Sequence, residues 1–295
     1  NFTNPVGIVM QAVRDETDAR AIGICDTPTE LFERVADALE LPAQECRFDY
    51  FGLNHLGWLR EVRHRGEPQL ARLWADPRRI AAIYRVPLFE TDFLVGLRLL
   101  PTEYLFYYYR PERAVENLQR RGVNRGQVIA ELNARLFSAL RAAKGPLKAI
   151  YEDYLAQRDA GYMQIESGGS APRPGGEAGG YDRIALGVLG AMSGRDRGAV
   201  LPLSIRNEGT IAALADDDVV EVPCLVDANG PLALHVGRTP EAVRDLLLQV
   251  KDYERLTARA AVSRSREDAL SALRRNPLVP SPGVAETLLP DLQLE

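Results

Sequence analysis

Lysine is nearly missing from this chain. Of 36 basic residues, only Lys144, Lys148 and Lys251 are lysine, against 41 acidic ones, for a formal net charge of -5. A chain with that balance lacks the broad basic surface that duplex nucleic acid requires. A phosphorylated small molecule needs only one or two local cations, so that class stays open. Cysteine is scarce too: Cys25, Cys46 and Cys224 are an odd number without a CxxC pair. A disulfide framework is not expected, and a reducing cytoplasm is the expected compartment. Long apolar runs are absent. The longest, Ile184 to Met192, contains two glycines and falls far short of the ~20 residues of a membrane helix. No signal peptide opens the chain, and no membrane association is expected. No GxGxxG fingerprint occurs either: the glycine-rich stretch over 167–181 has the wrong spacing and reads as a mobile surface loop.

What is present is a 295-residue chain, 46% hydrophobic and 26% charged, ordinary for a globular protein. Residues 1–26 read as a strand end, a helix and a short apolar segment, Ala21 to Cys25. This is the pattern of the last unit of an α/β domain, so the chain reads as a fragment. Thr27-Pro28-Thr29-Glu30 predicts a helix start, with Thr27 as N-cap and Glu30 closing a capping box. Leu59 to His64 alternates like a strand, and Gly66-Glu67-Pro68 turns the chain. Residues 69–100 are mainly helical by pattern. Helices are also expected over 125–140, 146–160 and 182–193, and one long stretch from Thr239-Pro240-Glu241 to Arg275. Val219 to Val226 is a strand ending in a hairpin-like turn, Asp227-Ala228-Asn229-Gly230. Helices mixed with short antiparallel strands give α+β beyond residue 26.

A few residues can carry chemistry. Cys25 ends an apolar segment just before a helix start, where the helix end favours thiolate; a free cysteine is more often just a small buried hydrophobe. His55, one of three histidines, lies in Gly52-Leu53-Asn54-His55. It can be a metal ligand or a satisfied turn histidine. Tyr104, Tyr107, Tyr108 and Tyr109 form an aromatic cluster, either plain core or a place for a phenol base. Arg125, just past the cap Asn124, could grip an anion or simply be solvated. Asn4, before Pro5, could contact a sugar hydroxyl or merely start a helix.

Taken in order, these segments resemble glycoside hydrolase family 4, the NAD- and metal-dependent 6-phospho-glycosidases. The resemblance rests on Asn1 to Pro5, Ile24-Cys25-Asp26-Thr27-Pro28, Gly52 to His55, Pro101 to Tyr108, Asn207-Glu208-Gly209 and Val219 to Pro223, and covers most of the chain. It implies the end of a Rossmann-like α/β domain over residues 1–26, followed over 27–295 by a lactate/malate dehydrogenase-like C-terminal α+β domain that is catalytic and substrate-binding. Cys25 and His55 would hold a divalent metal, usually Mn2+. Tyr104 would be the catalytic base and Asp26 the general acid, with Asn4 and Arg125 on the substrate. The mechanism it implies is a redox-elimination, unlike the two-carboxylate route of most glycosidases. NAD takes hydride from sugar C3, the base removes the C2 proton, the C1–O bond breaks by elimination, water adds back, and the hydride returns.

The implied activity is hydrolysis of 6-phospho-β-glucosides, with a phosphorylated disaccharide or glucoside as partner and a homo-oligomer, dimer or tetramer, as assembly. The fragment is expected to be inactive alone. Cys25-Asp26-x-Pro28 resembles the 6-phospho-α-glucosidase subgroup instead. Two further alternatives are an NAD-dependent 2-hydroxy-acid dehydrogenase-like protein and a non-catalytic oligomerisation domain.

Overall fold

A computed structural model describes residues 1–169, 180–195 and 198–292. Most of the glycine-rich loop expected over 167–181 lies outside them. Eight strands form one sheet: β1 Gly23–Ile24, β2 Cys46–Leu53, β3 Leu56–His64, β4 Glu67–Pro68, β5 Leu100–Pro101, β6 Ala199–Arg206, β7 Val219–Asp227 and β8 Gly230–Ala233. The order is β1-β6-β7-β2-β3-β4, with β5 on β3 and β8 on β7. All these pairings are antiparallel. With the helices around it this is the α+β architecture expected from the sequence.

The period of two in a strand divides the sheet residues between two cores. Phe51 and Trp58, both fully buried, join Leu203, Val222 and Leu247, with Val188 from the helix Tyr181–Met192. Their strand neighbours Tyr50 and Leu59 join Phe32 and Val35 of the helix Thr27–Ala38, and Leu73 and Ile80 of the helices Leu70–Trp74 and Pro77–Ile83. Each core therefore draws on alternate positions of the β2–β3 hairpin.

Two helix readings need correction. The long stretch to Arg275 is two helices, Glu241–Ser263 and Arg266–Arg275. Arg264 turns left-handed (φ 55°) between them, and Ser265 caps the second by accepting from the Asp268 amide at 3.1 Å. The Thr27–Glu30 capping box does not form: Asp26 occupies the N-cap without a side-chain bond. Thr27 is engaged with the Cys25 sulfur, and Glu30 is drawn to the Arg34 guanidinium at 2.5 Å. By contrast, the Asn124 cap forms in full, with Gln127 reciprocating, and starts a helix from Arg125 to Ala142. Among the described residues no helix is long and apolar enough to cross a membrane.

Candidate active site

The β2–β3 hairpin builds one side of the site. Leu53 pairs with Leu56, leaving Asn54-His55 as a two-residue turn. His55, second in the turn, adopts a left-handed φ of 63°. Gly52 lets the strands close: a Cβ there would lie 2.2 Å from the Leu56 carbonyl oxygen. His55 stacks on Tyr104, with ring centroids 4.1 Å apart and planes 23° from parallel. Burial lowers the imidazole pKa to about 4, so the ring is neutral, the form that ligates a metal.

Cys25 follows β1 and is buried. The sequence suggested a thiolate favoured by the helix end. The structure reverses this: burial first, then the charge of Glu221, pushes the thiol up to about 12, and the bonds from Thr27 oppose it only in part. Desolvation outweighs a partial helix charge when the sulfur is sealed off.

Tyr104 sits in the short turn Glu103–Leu105 after β5. Burial raises its phenol to about 12, while hydrogen bonding to Tyr162 draws it down. The Tyr162 hydroxyl donates to Glu103 Oε2 at 2.8 Å, and the other Glu103 oxygen accepts from Arg34. Tyr104 thus stands at the head of a buried polar chain ending in an ion pair. Tyr107 and Tyr108 are no deeper than Tyr104. They are half-buried like it, and the deep members of the segment are Leu105 and Phe106.

Asn4 and Asp26 meet through Tyr181, whose phenol bonds to both side chains. Gly180 makes room, since a Cβ there would lie 2.1 Å from that of Asp26. Burial raises the Asp26 carboxyl above its ordinary range. Arg125 is farther off. It donates to the Arg158 carbonyl at 2.7 Å, and its charge is felt by Glu166 and by the Tyr162 and Tyr104 phenols. Four of the other five expected residues therefore gather around Tyr104, His55 in ring contact, Cys25 and Asp26 as electrostatic neighbours and Asn4 through Tyr181; Arg125 approaches from one side.

Tyr162, Tyr181, Glu103 and Glu221 were not singled out from the sequence. Glu221 had a legible signal, a lone carboxylate inside an apolar strand run. Tyr162 had none.

Cys25 and His55 are a thiol and a neutral imidazole, a donor pair that suits a transition-metal ion. Among the described residues no three His, Cys, Asp or Glu side chains surround a common point. These two would therefore be two ligands of a site whose other positions belong to substrate or water.

The sequence pattern of the family 4 glycosyl hydrolase C-terminal domain matches residues 50–279. This chain belongs to glycosyl hydrolase family 4. A probable 6-phospho-beta-glucosidase of Bacillus subtilis is 30% identical over 302 residues, spanning 99% of this chain and 63% of that protein. A 6-phospho-alpha-glucosidase of Leptotrichia buccalis is 26% identical over 308 residues, spanning 99% and 65%. The 6-phospho-beta glucosidase of Thermotoga maritima, solved with NAD and glucose-6-phosphate, superposes with a TM-score of 0.78 at 28% identity, covering 99% of this chain and 64% of that one. The same enzyme solved with manganese, NAD+ and glucose-6-phosphate gives 0.76 at 25%, covering 99% and 63%. The family 4 chain thus spans just under two thirds of the length of these relatives.

Proposed function

We propose that this family 4 chain is the sugar-binding and proton-transferring part of a 6-phospho-β-glucosidase that works with NAD and a divalent cation such as Mn2+. The stacking of His55 on Tyr104, with Cys25 and Asp26 as its neighbours, carries the reading: an imidazole, a thiol, a phenol and a carboxyl share a corner. The relatives solved with NAD, manganese and glucose-6-phosphate support it. NAD would accept a hydride from the sugar, and the cation, held by Cys25 and His55, would act as a Lewis acid that favours the Tyr104 phenolate.

In this reading Tyr104 takes the proton from sugar C2. Asp26, whose carboxyl burial keeps protonated to higher pH, delivers a proton to the leaving glycosidic oxygen. Asn4 holds a sugar hydroxyl, and Arg125 grips an anionic or hydroxyl group of the substrate. The same reading divides the chain into the tail of a nucleotide-binding domain over 1–26 and a catalytic domain over 27–295. It also includes a homo-oligomer, supported by the exposed apolar side chains Phe137, Leu147 and Tyr151. A 2-hydroxy-acid dehydrogenase would instead place a catalytic histidine beside an arginine, whereas His55 faces a tyrosine ring.

The 6-phospho-α-glucosidase reading rests on Asp26 directly after Cys25 and on the relative of that name. The chain by itself is expected to be inactive in this reading, so chromogenic 6-phospho-α- and β-glucosides, assayed with NAD and Mn2+ on an enzyme in which this chain follows a nucleotide-binding domain, decide between the anomers. Release from the β substrate is expected; release from the α substrate alone overturns the β assignment, and release from neither overturns both.

A further inference from the structure

Glu221 lies at the centre of the sheet and is 1% exposed. The register places Gly23, Ser204, Glu221, Gly52 and Gly57 in one row across β1, β6, β7, β2 and β3. Residues paired across neighbouring strands share a face, so Glu221 is the one large side chain in a row otherwise made of glycine and serine. Cys25, two positions after Gly23, continues that face.

Three donors converge on the carboxylate. The Tyr50 hydroxyl donates to Oε1 at 2.8 Å, the Asn54 amide donates to Oε2 at 3.3 Å, and the Ser204 hydroxyl reaches Oε2 at 3.5 Å. Gly57 is part of this arrangement, because a Cβ there would lie 1.9 Å from the Tyr50 hydroxyl oxygen. All three donors are neutral, and Glu221 forms no ion pair among the described residues. Burial accordingly pushes its carboxyl up to about 7, the three bonds pulling the other way. A wholly buried carboxylate without a cation is costly. Its titratable neighbours are the Glu254 carboxyl, whose charge adds to the rise, and the Cys25 thiol, whose ionisation Glu221 opposes. Two neighbouring anionic groups in a sealed corner become compatible once a dication stands between or beside them.

The geometry points to Glu221 as a positioning residue for the metal corner: its carboxylate ties down the Asn54-His55 turn and supplies a fixed negative charge toward a cation held by Cys25 and His55. The inference rests on the proposed metal role of those two residues. Deleting an outer partner of this kind costs about 10- to 100-fold in metal affinity.

The test is titration of the reduced chain with cobalt(II) alone, read by the thiolate-to-cobalt charge-transfer band, which reports ligation at sulfur without any turnover. Wild type is expected to show the band and Cys25→Ser to lack it. Glu221→Gln is expected to weaken cobalt binding about 10-fold or more. Ser204→Ala, which removes the longest of the three bonds and keeps the charge, should bind cobalt near wild-type affinity. If circular dichroism shows Glu221→Gln unfolded, Asn54→Ala takes its place, cutting the tie between the carboxylate and the turn, and weaker binding is again expected. A band that disappears in Cys25→Ser but keeps wild-type affinity in Glu221→Gln, or in Asn54→Ala where that variant stands in, overturns the role of Glu221 and leaves the metal site standing. No sulfur band in wild type overturns the metal site itself.

Discussion

The hairpin side of the site and the helical arm that carries Arg125 are held by different forces. Around β2 and β3, Phe51, Leu53, Trp58 and Leu59 are all fully buried, and the turn bearing His55 is fixed by that packing. The arm is the pair of helices Arg125–Ala142 and Lys148–Ala160. The first buries only Leu132 and Leu136, the second buries nothing, and Phe137 and Tyr151 stand more than half exposed. Polar ties join it to the rest: Arg85 grips Asp159 through both oxygens at 2.6 and 2.7 Å, and Tyr162 beyond it reaches Glu103. The corner that holds Cys25 and His55 in the proposed function is built by burial, which is stiff. Arg125, proposed to grip the substrate, comes in on an element that few apolar contacts restrain, the kind that opens at low cost.

The largest effects should come from the packed side. In an enzyme completed with a nucleotide-binding domain, Tyr104→Phe removes the proposed base and should lower kcat by about 100-fold or more, with proton exchange at substrate C2 falling in step. Exchange that stays at the wild-type rate would move the base elsewhere. Trp58→Ala, at the heart of the hairpin, should cost about 3–5 kcal/mol in denaturant unfolding. Phe137→Ala on the arm should stay within about 0.5 kcal/mol. Similar losses at the two positions would erase the distinction between the regions. Gly57→Ala forces a methyl into the buried Tyr50 hydroxyl and should cost about 1–3 kcal/mol. On the arm the main local lever is its capping box, and Asn124→Ala should cost about 1 kcal/mol.

Legibility followed the same divide. Period-two alternation exposed β3, turn residues exposed the β7–β8 hairpin, and the cap at Asn124 announced its helix. Each of these depends on neighbours in sequence. Cys25, His55 and Tyr104 became candidates because an ordered set of short motifs resembled family 4, not because any one of them was decisive. Local rules failed where a competing charge or a distant strand intervened. Glu30 left its capping box because Arg34, itself shared with Glu103, offered a charge. The Cys25 thiol went up rather than down because strands from residues 199–227 close over it and bring Glu221 alongside. Tyr162 and Tyr181 reach the site from segments with no motif, so their roles exist only in three dimensions.

The seam between the two regions offers the smallest and most direct test of how they meet. Glu30 lies there, beside Arg34, Glu103, Asp26 and Arg85, and burial raises its carboxyl from an ordinary 4.5 to about 7 against the pull of Arg34. In the unfolded chain it ionises near 4.5; in the folded chain it keeps its proton until about pH 7. Between those values the folded state binds more protons. The stability this group contributes is therefore complete below about pH 4.5 and is lost as pH rises through about 7. Its side chain is 38% exposed, so water screens the effect and the expected change in melting temperature is small. Glu30→Gln has no proton to lose and should flatten the fall in melting temperature across that window. Wild-type and variant curves that run parallel from pH 4.5 to 7 would mean that Glu30 ionises freely, and that the arm meets the sheet through a wetter seam than its contacts indicate.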